Sequence, residues 1–532
     1  MRVYNEDSER EVQSTQVNEG EADKKQTPLP ILPLLSVFLI QLGEPIAATV
    51  IYPFIAQFVR EMDITGGDEK KIGYYAGIIE SAFFFSQGLS VVQWGYLSDR
   101  YGRRPILLCG PLGVAFSMLM FGSSTTFAGM VAARCLQGIF NGNIGKKSVI
   151  FTYIRQEFIL CLIGISKSVI AELTDSTNRG DAFAFIPLMW SIGSTTGPIL
   201  GGSLSNPATR WPETLGHISY LKTHPYFLPC FVAAFFAFIS FLIVCFVLEE
   251  TLPSKATRIP PKQNSTDVCS LKTTSPLLEH GEGTGYGSST DAPGRSNSNQ
   301  HQHQGVRTDN FRDAFTRPVM SILLNYAFLA FLDMCYGVLL PLMYSTSIRN
   351  GGLGLDPSRI GATLGAFGLV NSIVQLNFLG RFIRKYGPRK VYTVAFRCFF
   401  VLFGMYAITK FFVQRAGEVD HIVIACMTFQ LACQMFIFAA YGSIQVLLVE
   451  SIPEGGPLGT VNGVSQMIGA AMRCIAPTFA SSLFSVSLQR NLAGGNMVYY
   501  ILITIALLGI CCTRLLPSGS KKRMIPQSQP TA

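Results

Sequence analysis

Four carboxylic acids lie inside, or at the end of, long apolar segments of the sequence: Glu44, Glu80, Asp333 and Glu450. A charged carboxylate is costly in hydrocarbon, so an acid kept there indicates a function. Because burial favours the neutral form of a carboxyl group, such an acid can bind and release a proton near neutral pH. We treat all four as candidates for proton coupling. Glu44, which precedes Pro45, and Glu80, near the middle of its segment, rank first, and a structural ion pair is the alternative.

An arginine also stands inside an apolar segment. Arg134, Gln137 and Gly138 are spaced i, i+3 and i+4, which places them on one face of a helix. A buried arginine in a membrane helix normally faces a cavity or a partner of opposite charge. We therefore expect Arg134 and Gln137 to act with the acids, either in proton coupling or as a structural pair.

A short loop between two apolar segments has the sequence GYLSDRYGRRP at 95–105. Gly95 permits close helix contact, Asp99 supplies an anion where a helix ends, and Gly102 allows a tight turn. Three basic residues that can pair with Asp99 or with lipid phosphate complete the loop: Arg100, Arg103 and Arg104. We predict a gating role for this loop, and the alternative is a basic loop that only sets membrane topology.

The second half of the chain contains a related loop. It keeps two glycines and an arginine at the same spacing: Gly380, Gly387 and Arg389. Arg384 stands where the first loop has Asp99, so the acidic member is lost. We therefore expect the first loop to matter more for gating than the second.

Glycines and a proline cluster in another apolar segment, at Gly193, Gly197, Pro198, Gly201 and Gly202. Gly193 and Gly197 form a face of small residues that lets helices approach closely. Pro198 removes a backbone donor and weakens the helix locally. Close packing alone would not predict the Gly-Pro and the Gly-Gly pairs together, so we treat these five residues as a functional motif.

Twelve apolar segments can place these residues in membrane-spanning helices, each of which needs about 20 apolar residues. The first six cover 30–58, 73–97, 105–124, 127–145, 182–203 and 226–248. The other six cover 317–345, 359–383, 390–413, 421–450, 457–486 and 495–516. We therefore predict an all-α, polytopic membrane protein.

The composition favours a membrane environment over an aqueous one. Hydrophobic residues make up 48% of the 532 positions and charged residues only 14%, against roughly 25% charged residues in soluble domains. The net charge of +9 is concentrated in short loops between apolar segments, where it sets topology. The 13 cysteines lack zinc-ligand spacing. We expect no nucleic-acid partner, no metal site and no cofactor.

Polar stretches divide the chain into parts. We predict a disordered tail at 1–29, a six-helix half at 30–249, a disordered linker at 250–310, a second six-helix half at 311–516 and a tail at 517–532. The linker is rich in small polar residues and cannot bury enough apolar surface to order itself. The basic loops fall on the same side as both termini and the linker, and the positive-inside rule places that side in the cytosol.

Together these patterns resemble the major facilitator superfamily. The loop at 95–105 is similar to its G-x-L-[SA]-D-[RK]-x-G-R-[RK] loop. The R-x-x-Q-G pattern at 134–138 resembles the fourth-helix motif of proton-coupled members, in which the arginine is tied to proton transfer. The segment 193–202 resembles the G-x-x-x-G-P-x-x-G-G motif of the antiporter branch. The chain is similar to fungal drug:proton antiporters and plant zinc-induced-facilitator-like carriers, which implies twelve helices in two six-helix halves.

Residues 146–165 do not fit this resemblance, in which 141–145 would continue directly into 166–168. A continuous helix from Phe127 to Ala171 would be roughly 68 Å long, about twice the hydrocarbon core. We predict that the segment is a translated intron or a gene-model error, and that it leaves the helix bundle where it is translated. A genuine insertion is the alternative.

The predicted function is proton-coupled antiport, which exports a small organic molecule or a metal complex by alternating access. A proton symporter for a nutrient is one alternative, which the Gly197-Pro198 motif disfavours, and a non-transporting receptor on the same fold is another. The chain shows no nucleophile–base constellation and no nucleotide loop, so we do not expect an enzyme. We expect a monomer in the plasma or vacuolar membrane, with protons and a small molecule as its partners.

Overall fold

The computed structural model describes residues 30–142, 169–170, 173–174, 179–248, 316–452 and 458–517. The first six long helices are α1 (Ile31–Thr49), α2 (Ile72–Tyr101), α3 (Arg103–Gly122), α4 (Phe127–Asn141), α5 (Arg179–Leu204) and α6 (Phe227–Val247). The others are α7 (Arg317–Ser345), α8 (Pro357–Val374), α9 (Pro388–Ala416), α10 (His421–Glu450), α11 (Leu458–Gln489) and α12 (Met497–Cys512). Short helices and helical turns cover Ile55–Glu61, Glu69–Lys71, Pro207–Arg210, Ser219–Thr223, Ile348–Asn350, Gln375–Leu379, Gly380–Tyr386, Leu492–Gly495 and Thr513–Leu515.

The predicted all-α fold with twelve long helices is confirmed, and the described ranges contain no strand. Nine of the helices in these ranges are long and apolar enough to cross a membrane on those properties alone. The other three, α2, α4 and α5, carry the polar and glycine motifs.

Two predicted segments are interrupted. The segment 30–58 contains a break between α1 and the helix Ile55–Glu61, where Pro53 has no backbone N–H to continue the helix. The segment 359–383 contains a π-helical turn at Gln375–Leu379. Such turns occur mostly as single irregularities inside α-helices, often at functional sites.

The two halves meet along a seam made of α2 against α11 and α5 against α8. We call the end of the bundle where α1 begins and α12 ends the terminal end, and the opposite one the far end. Helices α3, α6, α9 and α12 pack within their own halves, α3 against α6 and α9 against α12. The seam helices are therefore the ones that a relative movement of the halves would displace.

Small residues bring the seam helices into close contact near the far end. A Cβ added to Gly202 of α5 would lie 2.8 Å from the Cα of Gly361 of α8. On the other side of the seam, a Cβ added to Gly77 of α2 would lie 2.9 Å from the carbonyl oxygen of Pro477 of α11. The halves are thus tightly packed at this end.

Polar contacts also join the halves at the far end. Arg60 of the first half donates to the carbonyl of Ser345 in the second half at 2.9 Å, and it pairs with Glu69 of its own half at 3.3 Å. Asn350 donates to the second carboxylate oxygen of Glu69 at 3.2 Å. A cavity of about 250 Å³ lies beside Arg60 and Glu69. We call Arg60, Glu69, Ser345 and Asn350 the far-end network.

The predicted tails, the linker and the insert lie outside the described residues, as does the side chain of Asp99. Val169 and Ile170, just after the predicted insert, are fully buried in one cluster with Leu34 of α1 and Ile106 of α3. These contacts are at the terminal end, where α5 also begins. The domain boundaries and the nature of the insert stay predictions.

Candidate functional site

The first candidate site is an ion pair buried between α2 and α4. Arg134 donates through Nη2 to Glu80 Oε2 at 2.6 Å, and its exposed fraction is 0%. Glu80 is 5% exposed. Two charges this deeply buried are tolerated because each compensates the other, and removal of one partner leaves the other uncompensated.

The same pair is held by further hydrogen bonds. Tyr52 donates to Glu80 Oε1 at 3.0 Å, so both carboxylate oxygens accept a bond. Arg134 Nη1 donates to Gln137 Oε1 at 2.6 Å, and Gln137 in turn donates to the carbonyl of Ala47 in α1 at 3.1 Å. The guanidinium also lies over the ring of Phe83, 4.6 Å from its centroid. The arrangement joins α1, α2 and α4 into one polar group.

Glu44 adds a second contact between α1 and α4 beside this group. Asn141 of α4 donates to Glu44 Oε1 at 3.0 Å. Asn141 lies seven residues after Arg134 and four after Gln137, on the same face of α4. The structure therefore brings together four of the predicted residues, Glu44, Glu80, Arg134 and Gln137. Sequence reasoning missed Asn141, which the helical spacing could have identified.

Asp333 of α7 forms a second polar group in the other half. It accepts a hydrogen bond from Tyr441 at 3.0 Å and one from Gln434 at 3.3 Å, both on α10. The ring of Tyr326 meets that of Tyr441 edge-on, with centroids 6.3 Å apart. Among the described residues, no basic side chain lies within ion-pairing distance of Asp333.

Two basic residues in the second-half helices were missed by the sequence analysis. Arg473 lies in the middle of α11 and is half-buried. Lys410 of α9 is buried and donates to the carbonyl of Gly494 at 2.7 Å. The signal was available for both, because each is a charge within an apolar segment.

Glu450 is not part of either group. It is the last residue of α10, at the terminal end, and its side chain is exposed. It lies nine residues beyond Tyr441, roughly 14 Å along the helix axis. The structure therefore sets Glu450 apart from the other proton-coupling candidates.

The loop predicted at 95–105 is mostly helical: α2 continues to Tyr101 and α3 begins at Arg103, so Gly102 alone joins the two helices at the terminal end. Gly102 has a φ of 110°, in the region that favours glycine, and its N–H closes the end of α2 on the carbonyl of Ser98. Arg103 is buried and donates to the hydroxyl of Ser98 at 3.1 Å, while Arg104 donates to the carbonyl of Cys245 in α6 at 2.6 Å. Arg100 is exposed. Two of the three arginines thus hold local structure.

The glycine motif of α5 lies against α1. A Cβ added to Gly193 would lie 2.9 Å from the carbonyl oxygen of Leu42, and one added to Gly197 would lie 3.0 Å from that of Ile46. Gly201 approaches the backbone of Val50 in the same way. Gly202 instead faces α8, across the seam. The motif therefore packs α5 on both the first helix and the opposite half.

Within the described ranges, no three His, Cys, Asp or Glu residues cluster so as to hold a metal ion. The sequence-based expectation of no metal and no cofactor stays a prediction.

A profile of a known family matches most of the chain. The model of the Major Facilitator Superfamily matches residues 37–145 and 159–477. The chain belongs to the Major Facilitator Superfamily. The predicted resemblance to this superfamily is confirmed, and the chain is a multi-pass membrane transporter for a small molecule. The match omits residues 146–158, which lie inside the segment predicted to be an insert.

Relatives in this superfamily match along most of their length. The major facilitator-type transporter psiT2 of Psilocybe cyanescens is 29% identical, over 93% of this chain and 92% of the relative. The multidrug transporter mfsB of Aspergillus fumigatus is 25% identical, over 86% and 79%. The protein Zinc Induced Facilitator 1 of Arabidopsis thaliana is 25% identical, over 91% of each chain. The predicted resemblance to fungal transporters and plant zinc-induced facilitators is confirmed.

The solved structure of a D-xylose–proton symporter has the same fold. It superposes with a TM-score of 0.62 over 93% of this chain and 99% of the symporter, at 14% identity. This likeness supports the arrangement of the twelve helices and carries no information on the substrate.

Proposed function

We propose that this superfamily member is a proton-coupled antiporter that exports a small organic molecule or a metal complex by alternating access. The observation that carries the proposal is the buried pair of Glu80 and Arg134. In lipid-embedded helices a charged pair without a function would be a cost that apolar side chains avoid. A role in binding and releasing a proton would account for the presence of this costly buried pair.

The contacts suggest how protonation would act. A proton on Glu80 removes the negative charge that compensates Arg134 and weakens the carboxyl group as the acceptor for Tyr52. Arg134 then remains bonded to Gln137, which holds α1 through Ala47. Glu80 lies in α2, which forms the seam with α11. A change in its contacts with α1 and α4 would therefore alter the position of a seam helix.

The far-end contacts favour alternating access. In this state the halves are joined at the far end by the far-end network and by the glycine contacts of the seam. The topology of the basic loops suggests that the terminal end faces the cytosol. The described state is then closed to the outside, and export requires these contacts to separate while the terminal end closes.

The proposed direction of transport rests on the α5 motif and on the activity for which one relative is named. The contacts of Gly193, Gly197 and Gly201 with α1 couple the first helix to the seam helix α5. The fungal relative mfsB is named a multidrug transporter, which suggests efflux of organic compounds. We place the protein, as a monomer, in the plasma or vacuolar membrane.

Proteoliposomes test the proposal. The purified full chain is reconstituted with a pH-sensitive dye inside the vesicles, a pH gradient is imposed, and a panel of drugs, organic acids and metal chelates is added. A transported compound should dissipate the gradient through the wild type, and Glu80→Gln should abolish this response. Glu418→Gln changes an exposed acid between α9 and α10 and is the matched control. The proposal would be contradicted if compounds are transported but the flux of none of them depends on the pH gradient.

A further inference from the structure

We propose that Arg473 binds the anionic group of the transported molecule, so that the substrate class is an organic monoanion with an apolar or aromatic body. This inference rests on the proposed transport function and names the substrate of the same protein. The site involves α11, α7 and α10, apart from the pair of Glu80 and Arg134.

The position of Arg473 turns it toward the space between the halves. Gly469, one helical turn before it, touches the hydroxyl end of Tyr326 in α7. Pro477, one turn after it, faces Gly77 of α2 in the other half. Arg473 lies between these two contacts on the same side of α11. Its half-buried side chain is thus directed at the seam and not at the lipid.

The charge of Arg473 is not neutralised by a contact. None of the described carboxylates lies within ion-pairing distance of it. Its Nε donates to the carbonyl of Gly469 at 3.2 Å. Along the described part of the chain, no further hydrogen bond of the guanidinium to another residue is found. The Nη groups of this mid-membrane arginine are therefore available to donate to a ligand.

The chemistry of these donors selects the ligand. The Nη groups of an arginine present a planar fork that matches a carboxylate or a phosphate oxygen pair. A cationic ligand would be repelled by the guanidinium group, and a neutral ligand would accept only a weaker hydrogen bond than an anion does.

The surroundings of Arg473 set the size and charge of that ligand. Tyr326 and Tyr441 offer ring surfaces beside it for an apolar or aromatic body. Asp333, which accepts from Tyr441, is close enough for the two charges to act on one another. Its negative charge disfavours a second anionic group on the ligand, so the site is suited to a monoanion.

Thermal unfolding of the detergent-purified full chain tests the inference with three probes of one shape: 4-phenylbutyrate, 4-phenylbutylamine and 4-phenylbutyramide. We expect 4-phenylbutyrate to raise the Tm of the wild type, and the amine and the amide not to. Arg473→Gln should weaken the response to 4-phenylbutyrate by about tenfold or more, since a charge-assisted contact is lost. Arg473→Lys, which keeps the charge without the fork, should fall between the two.

Arg397→Gln is the matched control, because Arg397 lies in α9 with an exposed side chain. It should respond to 4-phenylbutyrate like the wild type. The Tm of each variant without probe shows whether it is folded. The inference is overturned if the wild type does not respond to 4-phenylbutyrate up to its solubility limit, if the amide acts equally, or if a folded Arg473→Gln keeps the full response.

The two proposals fail separately. The unfolding measurement needs no gradient, so binding that depends on Arg473 together with gradient-independent flux contradicts only the proton coupling. Gradient-driven flux of an amine that is unchanged in Arg473→Gln contradicts only the assignment of Arg473.

Discussion

At the scale of single residues, the buried pair of Glu80 and Arg134 combines two properties that rarely occur together in a membrane helix. Each side chain is almost fully removed from solvent, and each has additional hydrogen bonds, from Tyr52 and to Gln137. Such a pair contributes little net stability, because desolvation offsets the attraction between the charges. We expect the pair to matter for transport because the contacts between Glu80 and Arg134 differ between the charged and the protonated state of Glu80.

The intact pair contributes little stability, but the loss of one partner is costly, and this difference makes a prediction. Arg134→Gln leaves the carboxylate of Glu80 buried without a cation and should lower the stability by about 3–5 kcal/mol. The double variant Glu80→Gln, Arg134→Gln should regain part of that loss, because no isolated charge remains. The Tm values of the single and double variants in detergent check the prediction, with Glu418→Gln as the exposed control. A double variant less stable than Arg134→Gln would contradict it.

At the scale of helices, the motif of α5 acts through the absence of side chains. The backbones of α5 and α1 approach along Gly193, Gly197 and Gly201, so any added carbon meets backbone atoms, which cannot rotate away. A backbone contact of this kind transmits movement between helices more directly than a contact between flexible side chains.

Gly201→Ala should therefore displace α5 from α1. The added Cβ would overlap with the carbonyl group of Val50, and we expect a loss of about 1–3 kcal/mol of stability together with a fall in transport rate. The Tm and the gradient-driven flux measure both effects. Gly88→Ala is the matched control, since a Cβ at Gly88 of α2 would find no heavy atom within 4 Å. Equal behaviour of the two variants would show that close packing at α5 is unimportant.

At the scale of the whole molecule, the halves are joined at the far end by polar contacts that are only partly buried. The side chains of Arg60 and Glu69 are 34% and 33% exposed. Solvent screens such a pair, which limits it to about 0–1 kcal/mol. The pair lies within the first half and holds Arg60 and Glu69 in place for their hydrogen bonds with Ser345 and Asn350 of the second half. Hydrogen bonds at such a partly exposed site bias the equilibrium without locking it, which suits a state that must open during each cycle.

Arg60→Gln should shift the molecule toward opening at the far end. It removes the hydrogen bond across the halves to the Ser345 carbonyl, together with the ion pair that holds Glu69 in place for Asn350, so the open population should rise by up to about fivefold. Ser347→Cys, beside the far-end cavity, reports opening through its rate of reaction with a membrane-impermeant maleimide. Lys71→Gln, an exposed neighbour of Glu69, is the control. An unchanged labelling rate in Arg60→Gln would mean that other contacts keep the far end closed.

Much of the fold could be predicted from the sequence because membrane helices are specified locally. A run of about 20 apolar residues must form a helix in lipid, whatever surrounds it. The prediction was wrong where a local feature was overlooked, as at Pro53, where one predicted segment is two helices. Arg134 and Gln137 were correctly placed on one face of α4 for the same local reason.

The partners of these residues could not be predicted, because pairing depends on how helices pack. The sequence ranked Glu44 and Glu80 above Asp333 and Glu450, but only the tertiary structure showed which groups each acid contacts. Glu80 meets Arg134 across 54 positions of chain, whereas Asp333 bonds to Tyr441 across 108.

The sequence by itself thus determined the class of protein, the helices and the family, since hydrophobicity and short motifs are properties of neighbouring residues. The tertiary structure alone decided which acid faces the arginine of α4 and that Asp333 accepts hydrogen bonds from α10. It also decided that Arg473 lies at the seam. The physical reason is that a buried charge is stabilised only by groups brought to it through space.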